Sequence, residues 1–185
     1  MTSGDRGLPG ALPGPPGVVV TAAAAELLVR LQARHGPVMF HQSGGCCDGS
    51  SPMCYPCGEF LVGDRDVLLG VLEVGSPAGE QPSADGVPVW ISGAQYQAWK
   101  HTQLVIDLVP GRGGGFSLEA PEGVRFLSRG RVFTDSEKAL LQEIPVITGA
   151  AYERGQRPSA RGAVVAADAP TIEPAAPGMS GPGSR

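Results

Sequence analysis

Between Thr21 and Gln42 the apolar positions change period once. Ala24, Leu27, Leu28 and Leu31 recur at helical spacing within AAAAELLVRLQAR, Thr21 stands where an N-cap belongs, and Gly36-Pro37 supplies the stop. PVMFHQ then alternates like a strand until a stretch of Gly, Ser, Cys and Pro interrupts it. GEFLVG and DVLLGVLEV read as two strands meeting in a hairpin at Gly63-Asp64, SPAGEQPSADG as a polar loop and VPVWIS as a short strand. Ser92 with Gln95 opens a short helix through Trp99. HTQLVIDLVP is the best strand of the chain, with Leu104, Ile106 and Leu108 on one face and Val105, Asp107 and Val109 on the other. GRGGG is a flexible link, GFSLEAPEGVRFL a hairpin turning at Pro121-Glu122-Gly123, and Thr134 with Glu137 a capping box ahead of a closing helix to about Glu143.

Strands dominate and the connections are short. This predicts an α+β domain, compact and strand-rich, with a mostly antiparallel or mixed sheet and no room for long parallel crossovers. The two ends are rich in Gly and Pro, which predicts disordered tails over residues 1–17 and 146–185 and a single domain over 18–145.

Composition changes this picture little. The 185 residues are 42% apolar and only 5% aromatic, so the core is expected to be aliphatic. A net charge of −4 argues against general nucleic-acid binding. No apolar leader or membrane-length run is visible, and the default expectation is a cytoplasmic protein. A strand-rich domain of this size has edges to protect, which makes a homodimer the expected assembly.

The candidate chemistry is concentrated. All four cysteines, Cys46, Cys47, Cys54 and Cys57, fall within twelve residues as C-C-x6-C-x2-C. In a reducing compartment such clusters are metal-binding or catalytic more often than disulfide-bonded. Thiolates are soft ligands for zinc or for iron in a cluster, and C-x2-C is able to chelate one metal. The adjacent pair Cys46-Cys47 needs a kink to aim at one ion, which Gly44-Gly45 and Asp48-Gly49 can supply. His41, five residues before Cys46, and His101, at the start of the strongest strand, complete the candidate set of ligands. Glu59 and Asp107 are candidate carboxylates behind a histidine, Asp48 a turn residue, Met53 and Tyr55 packing or lining residues, and His35 a helix-end cation.

Other stretches offer less. GRGGGF lacks the Lys-Ser/Thr of a phosphate loop. Arg125, Arg129 and Arg131 form a small basic cluster, most simply a solvated strand face. No Ser-His-Asp arrangement stands out, although Ser43 lies near His41. Three readings remain: a metal- or iron–sulfur-binding accessory protein; a thiol-based enzyme or redox sensor in which a cysteine beside His41 is the nucleophile; and, ranked last for a cytoplasmic chain, a small binding module with a structural disulfide such as Cys54–Cys57.

The runs HGPVMFHQSGGCCDGSSPMCYP, VPVWISGAQYQAWKHTQLVIDLVPGRGGGFSLEAPEGVRFLSR and FTDSE resemble an uncharacterised bacterial family described as acetaldehyde-dehydrogenase-associated proteins of unknown function. The resemblance covers about residues 20–138 and implies a link to aldehyde or alcohol metabolism by gene neighbourhood, with an aldehyde dehydrogenase as the candidate partner. The order of elements, with a strand ending in GGC, an I-D-L strand and G-G-F-S-L-E-A-P, is more remotely similar to the A-type iron–sulfur carriers. That similarity would match Cys46 to their first cysteine, whereas FLSRGRVF stands where their C-terminal cysteine pair would be.

Overall fold

The structure is a computed structural model that describes residues 14–44, 50–75, 86–112, 115–158 and 164–165. It is α+β, with two four-stranded mixed sheets and four short helices among the described residues. The chain runs β1 (Val18–Thr21), α1 (Ala22–His35), β2 (Val38–Gln42), β3 (Met53–Pro56), β4 (Val67–Leu72), β5 (Val87–Ile91), α2 (Gly93–Trp99) and β6 (Thr102–Pro110). A 3-10 turn (Ala120–Glu122), β7 (Val124–Val132), α3 (Asp135–Gln142), α4 (Gly149–Glu153) and β8 (Val164–Val165) follow.

One sheet has the order β7-β6-β1-β8 and the other β3-β2-β5-β4. Parallel pairs join β1 to β6, β1 to β8 and β2 to β5, so parallel crossovers do occur here, contrary to the sequence expectation. The β2–β5 crossover contains two strands of its own, each antiparallel to one partner of the pair. Splitting the strands between two sheets provides the room.

Helix α1 forms as the pattern predicts. Thr21 Oγ accepts from Ala24 N–H, and the stripe Ala24, Leu27, Leu28 and Leu31 is buried. That stripe joins a core made of Val18 and Val20 of β1, Phe40 of β2, Val89 and Ile91 of β5, Leu104 and Ile106 of β6 and Phe126 of β7. Phe40 meets Phe126 edge-on at 4.8 Å, which locks one sheet against the other. A second cluster, with Met39, Leu68, Val71 and Trp90, fills the other face of the β3-β2-β5-β4 sheet and is covered by Ile147 and Ala151.

Several predicted boundaries move. Gly58 to Gly63 is not a strand, so no hairpin turns at Gly63-Asp64; β4 pairs with β5 and β2 with β3. The GFSLEA segment is turn and 3-10 backbone, and the β6–β7 pair closes at Pro110↔Val124 instead. VVVT, too short to stand out beside the helix that follows it, is the central strand β1. The fold also continues past residue 145. Leu68 N–H donates to the Ile147 carbonyl at 2.9 Å, Thr148 caps α4, and Trp90 meets Tyr152 edge-on at 5.3 Å. At the other end, residues 14–17 are held by Leu104 N–H on the Gly17 carbonyl and Gln103 Nε2 on that of Pro16, both at 2.9 Å. The rest of each predicted tail lies outside the described residues, apart from β8.

The capping box at α3 forms in both directions, and Glu137 also takes both Nη atoms of Arg131, at 2.8 and 3.1 Å. The Arg131 hydrogen bonds, then the Thr134 N–H, hold the Glu137 carboxyl down at about 2 against an ordinary 4.5. A depressed carboxyl stabilises the fold above its unfolded value and loses that contribution as pH falls through its folded one. Acid unfolding followed by circular dichroism between pH 4.5 and 2 is therefore expected to lose part of its pH dependence in Glu137→Gln. Curves of equal slope for the two proteins would show that the pairing contributes nothing.

Candidate functional site

The ladder between β2 and β3 separates the candidate residues. Phe40 faces Cys54 and His41 faces Met53 across it, while Phe40 faces Val89 and His41 faces Trp90 on the other side. Successive residues of a strand point to opposite faces. Cys54 therefore faces the core with Phe40 and Val89, and His41 faces the opposite side with Met53 and Trp90.

His41 is 4% exposed and its ring is held at both nitrogens. Nε2 lies 3.0 Å from Asp66 Oδ2, and Nδ1 lies 2.6 Å from Ser43 Oγ. An ionised carboxylate only accepts, so in the neutral ring Nε2 carries the proton and donates it to Asp66. Nδ1 is then the lone-pair nitrogen, and the Ser43 hydroxyl donates to it. Asp66 is itself fixed by the Gly63 N–H at 2.8 Å. Phe60 lies over the imidazole at 4.3 Å and stacks on Tyr55 at 4.8 Å, so Tyr55 lines the site, as expected of it.

A Ser43–His41–Asp66 chain of hydrogen bonds thus exists where none stood out in the sequence. The carboxylate comes from a turn 25 residues downstream, and no local spacing announces it. The ring is reversed relative to the serine-hydrolase triad, in which Nδ1 faces the carboxylate and Nε2 the hydroxyl. Ser43 is exposed, at the foot of the segment that carries Cys46 and Cys47.

The foot of that segment is clasped. Gln42 is fully buried; its Nε2 donates to the Gly44 carbonyl and to Ser50 Oγ, the latter at 3.0 Å. Its Oε1 accepts from Ser128 Oγ at 2.8 Å, and Ser128 N–H donates to the Ser50 carbonyl at 2.7 Å. One amide with both donors and its acceptor engaged joins the two ends of the loop to β7. Arg125 adds a hydrogen bond to Ser51 Oγ at 2.9 Å. Gly45, Cys46, Cys47, Asp48 and Gly49 lie outside the described residues.

Cys54 sits in another setting. It is fully buried, its N–H donates to Ser117 Oγ at 2.8 Å, and its carbonyl accepts from Leu118 N–H at 3.0 Å. Ser117 Oγ in turn donates to the buried Glu119, whose other oxygen accepts from Phe126 N–H at 3.5 Å. These bonds explain why FSLEA leaves the β7 hairpin: its polar groups are spent on β3. Burial first, then the neighbouring Glu119 and Cys57, push the Cys54 thiol well above its ordinary range. Burial also raises Glu119. Cys54 is a core thiol here, disfavoured as a thiolate.

Cys57 is exposed in the turn after β3, where its N–H donates to the Pro37 carbonyl, and no disulfide joins it to Cys54. Pro37 is four residues from His41 along an extended strand, a separation of roughly 13 Å. His101 is exposed at the start of β6, in the other sheet, and its carbonyl accepts from Phe133 N–H at 3.1 Å. Among the described residues, no three His, Cys, Asp or Glu side chains gather as a metal-ligand set.

The remaining candidates have structural partners. Asp107 takes Arg129 at 2.8 Å and the Thr21 hydroxyl at 3.0 Å and stands behind no histidine. Burial opposes its ionisation, but the Arg129 hydrogen bond, helped by Leu108 N–H and Thr21, holds its carboxyl below the usual value. Arg131 is taken up by Glu137 and Gln103, so the basic cluster on β7 is largely neutralised. Glu59 is exposed, and His35 joins Arg34 in the last turn of α1, where a cation suits the helix dipole.

Two mixed sheets sharing one core, with a clasped cysteine loop beside a carboxylate-held histidine, define an α+β domain with a single concentration of candidate chemistry. The chain belongs to the family described as Domain of unknown function (DUF779), whose model matches residues 27–132. That span takes in β2, the cysteine loop, Asp66 and both long strands β6 and β7. No curated protein and no solved structure matches the chain. No helix among the described residues is long and apolar enough to cross a membrane.

Proposed function

We propose that the protein is a metal-binding accessory protein whose ion is held by thiolates of Cys46 and Cys47 and by His41 Nδ1. The observation that carries this is the His41–Asp66 pair. A ligating histidine characteristically donates its other ring N–H to a carboxylate, which fixes the tautomer and raises the basicity of the ligating nitrogen. Here Asp66 occupies that place at 3.0 Å, and Nδ1 is directed to Ser43, the residue that leads into the loop. Two thiolates and an imidazole suit zinc or iron and leave a coordination position open. Cys54 and His101 fall outside this set because one faces the core and the other belongs to the second sheet; Cys57 falls outside because it lies at the far end of β2. The link to aldehyde or alcohol metabolism, with an aldehyde dehydrogenase as the partner served, and the likeness to iron–sulfur carriers belong to the same proposal.

The second reading is thiol chemistry at the same place. In the Nε2–H tautomer, Nδ1 accepts a hydrogen bond from the Ser43 hydroxyl at 2.6 Å, so it is placed to take a proton from a loop thiol and generate a nucleophile for an aldehyde or its adduct.

Metal and acid-labile sulfide measured on anaerobically purified protein separate the two. Zinc or iron near one equivalent, lost in Cys46→Ser and retained in Cys54→Ser, is the expected result. Metal-free protein carrying an iodoacetamide-reactive thiol that depends on His41 would replace metal binding with thiol chemistry.

A further inference from the structure

A cavity of about 250 Å³ opens beneath the connection between α3 and α4, independent of the cysteine loop. Its walls come from Leu69 of β4, Trp99 of α2, Phe133 after β7, Leu141 of α3, and Ile144 and Ile147 of the connection. Pro15 and Gly17, before β1, and Arg157 and Pro158, after α4, also line it. The lining is apolar apart from a few groups, and its charged members are both cations, Lys100 and Arg157. Both are exposed, which places their charge at the rim. Lys100 donates to the Gln97 amide oxygen at 3.3 Å, and Arg157 to the carbonyls of Tyr152 and Gln156 at 2.8 Å each. Among the described residues neither is in an ion pair, and no carboxylate lines the space.

Arg157 is also pre-placed, its guanidinium lying 3.8 Å from the centre of the Tyr152 ring. An apolar space with a few convergent polar groups is the usual form of a small-molecule site. A dry cavity of about 150 Å³ is enough to take benzene, so this one has room for a molecule about two-thirds larger. We propose that this cavity binds a small amphipathic carboxylate, its apolar part against Leu69, Trp99 and Ile144 and its charge between Lys100 and Arg157. Two cations with no counter-carboxylate among the described residues select an anion over a neutral or cationic head of the same length. The apolar walls exclude inorganic anions that bring no chain.

Calorimetric titration of the full-length chain with octanoate, octanol and octylamine tests this without any substitution. Octanoate is expected to bind at one equivalent, octanol at least tenfold more weakly, and octylamine and inorganic phosphate undetectably. The Lys100→Gln/Arg157→Gln double variant is expected to bring octanoate down to the affinity of octanol. Leu69→Trp, which fills the cavity, is expected to abolish binding while the circular dichroism of the fold is kept. Equal affinity for the three head groups, octanoate binding indifferent to both variants, or no saturable binding of octanoate would each overturn the proposal.

Discussion

Phe40→Ala is expected to destabilise the fold by about 3–5 kcal/mol, the usual cost of truncating a fully buried phenylalanine. Its size follows from position. Phe40 lies on the central strand β2, is fully buried, and meets Phe126 of the other sheet edge-on at 4.8 Å. Removing the ring opens a void between the two sheets that the Gln42–Ser128 hydrogen bond, two residues along each strand, does not fill. It also leaves Cys54, directly across the ladder, without its neighbour. Thermal unfolding followed by circular dichroism is expected to show a melting temperature lower by on the order of 10 °C. A melting point within a degree or two of the unsubstituted chain would mean that the Phe40–Phe126 contact does not hold the sheets together.

Asp66→Asn is expected to weaken metal retention about 10- to 100-fold, the usual consequence of removing the carboxylate behind a ligating histidine. The proposal of metal binding is what this result would support. The amide that replaces the carboxylate still has an oxygen for the Gly63 N–H, so the turn keeps its bond and the fold should persist. The charge that fixes the imidazole tautomer is gone, and Nδ1 becomes a poorer donor to metal. The check is competition of the bound metal with a chelator of known affinity, alongside a thermal melt. Unchanged metal affinity at unchanged stability would reduce Asp66 to a turn residue.

The regular part of the fold was legible where side-chain periodicity and backbone geometry agree. Helix α1 carries its own cap, stripe and stop, and β6 runs nine residues with Leu104 and Ile106 turned to the shared core. Segments whose fate is set by distant partners were not legible. Phe60, Leu61 and Val62 look like a strand, but Phe60 covers His41 and Leu61 is 91% exposed. FSLEA has the alternation of a strand and is turned aside by Ser117 and Glu119 bonding to β3 and β7. At the candidate site, His41 stood out by its nearness to the cysteines. Its partner Asp66 was not, because Asp64 and Asp66 sit in one turn and only the fold selects between them. The clustering of four thiols in sequence also suggested one site. A two-residue pleat is enough to send Cys54 into the core and His41 to the other side, and no count of cysteines reveals that.

The clasp made by Gln42 has a consequence for how such a chain tolerates change. Because a single buried amide closes the loop at Gly44 and Ser50, the strands on either side do not sense what lies between them. Insertions, deletions or exchanged residues in that interval are therefore expected to leave the register of β2 against β3 and β5 untouched. On such a mount the residues between the clasped ends could change their chemistry from one chain to another while the sheets on either side keep their pairing.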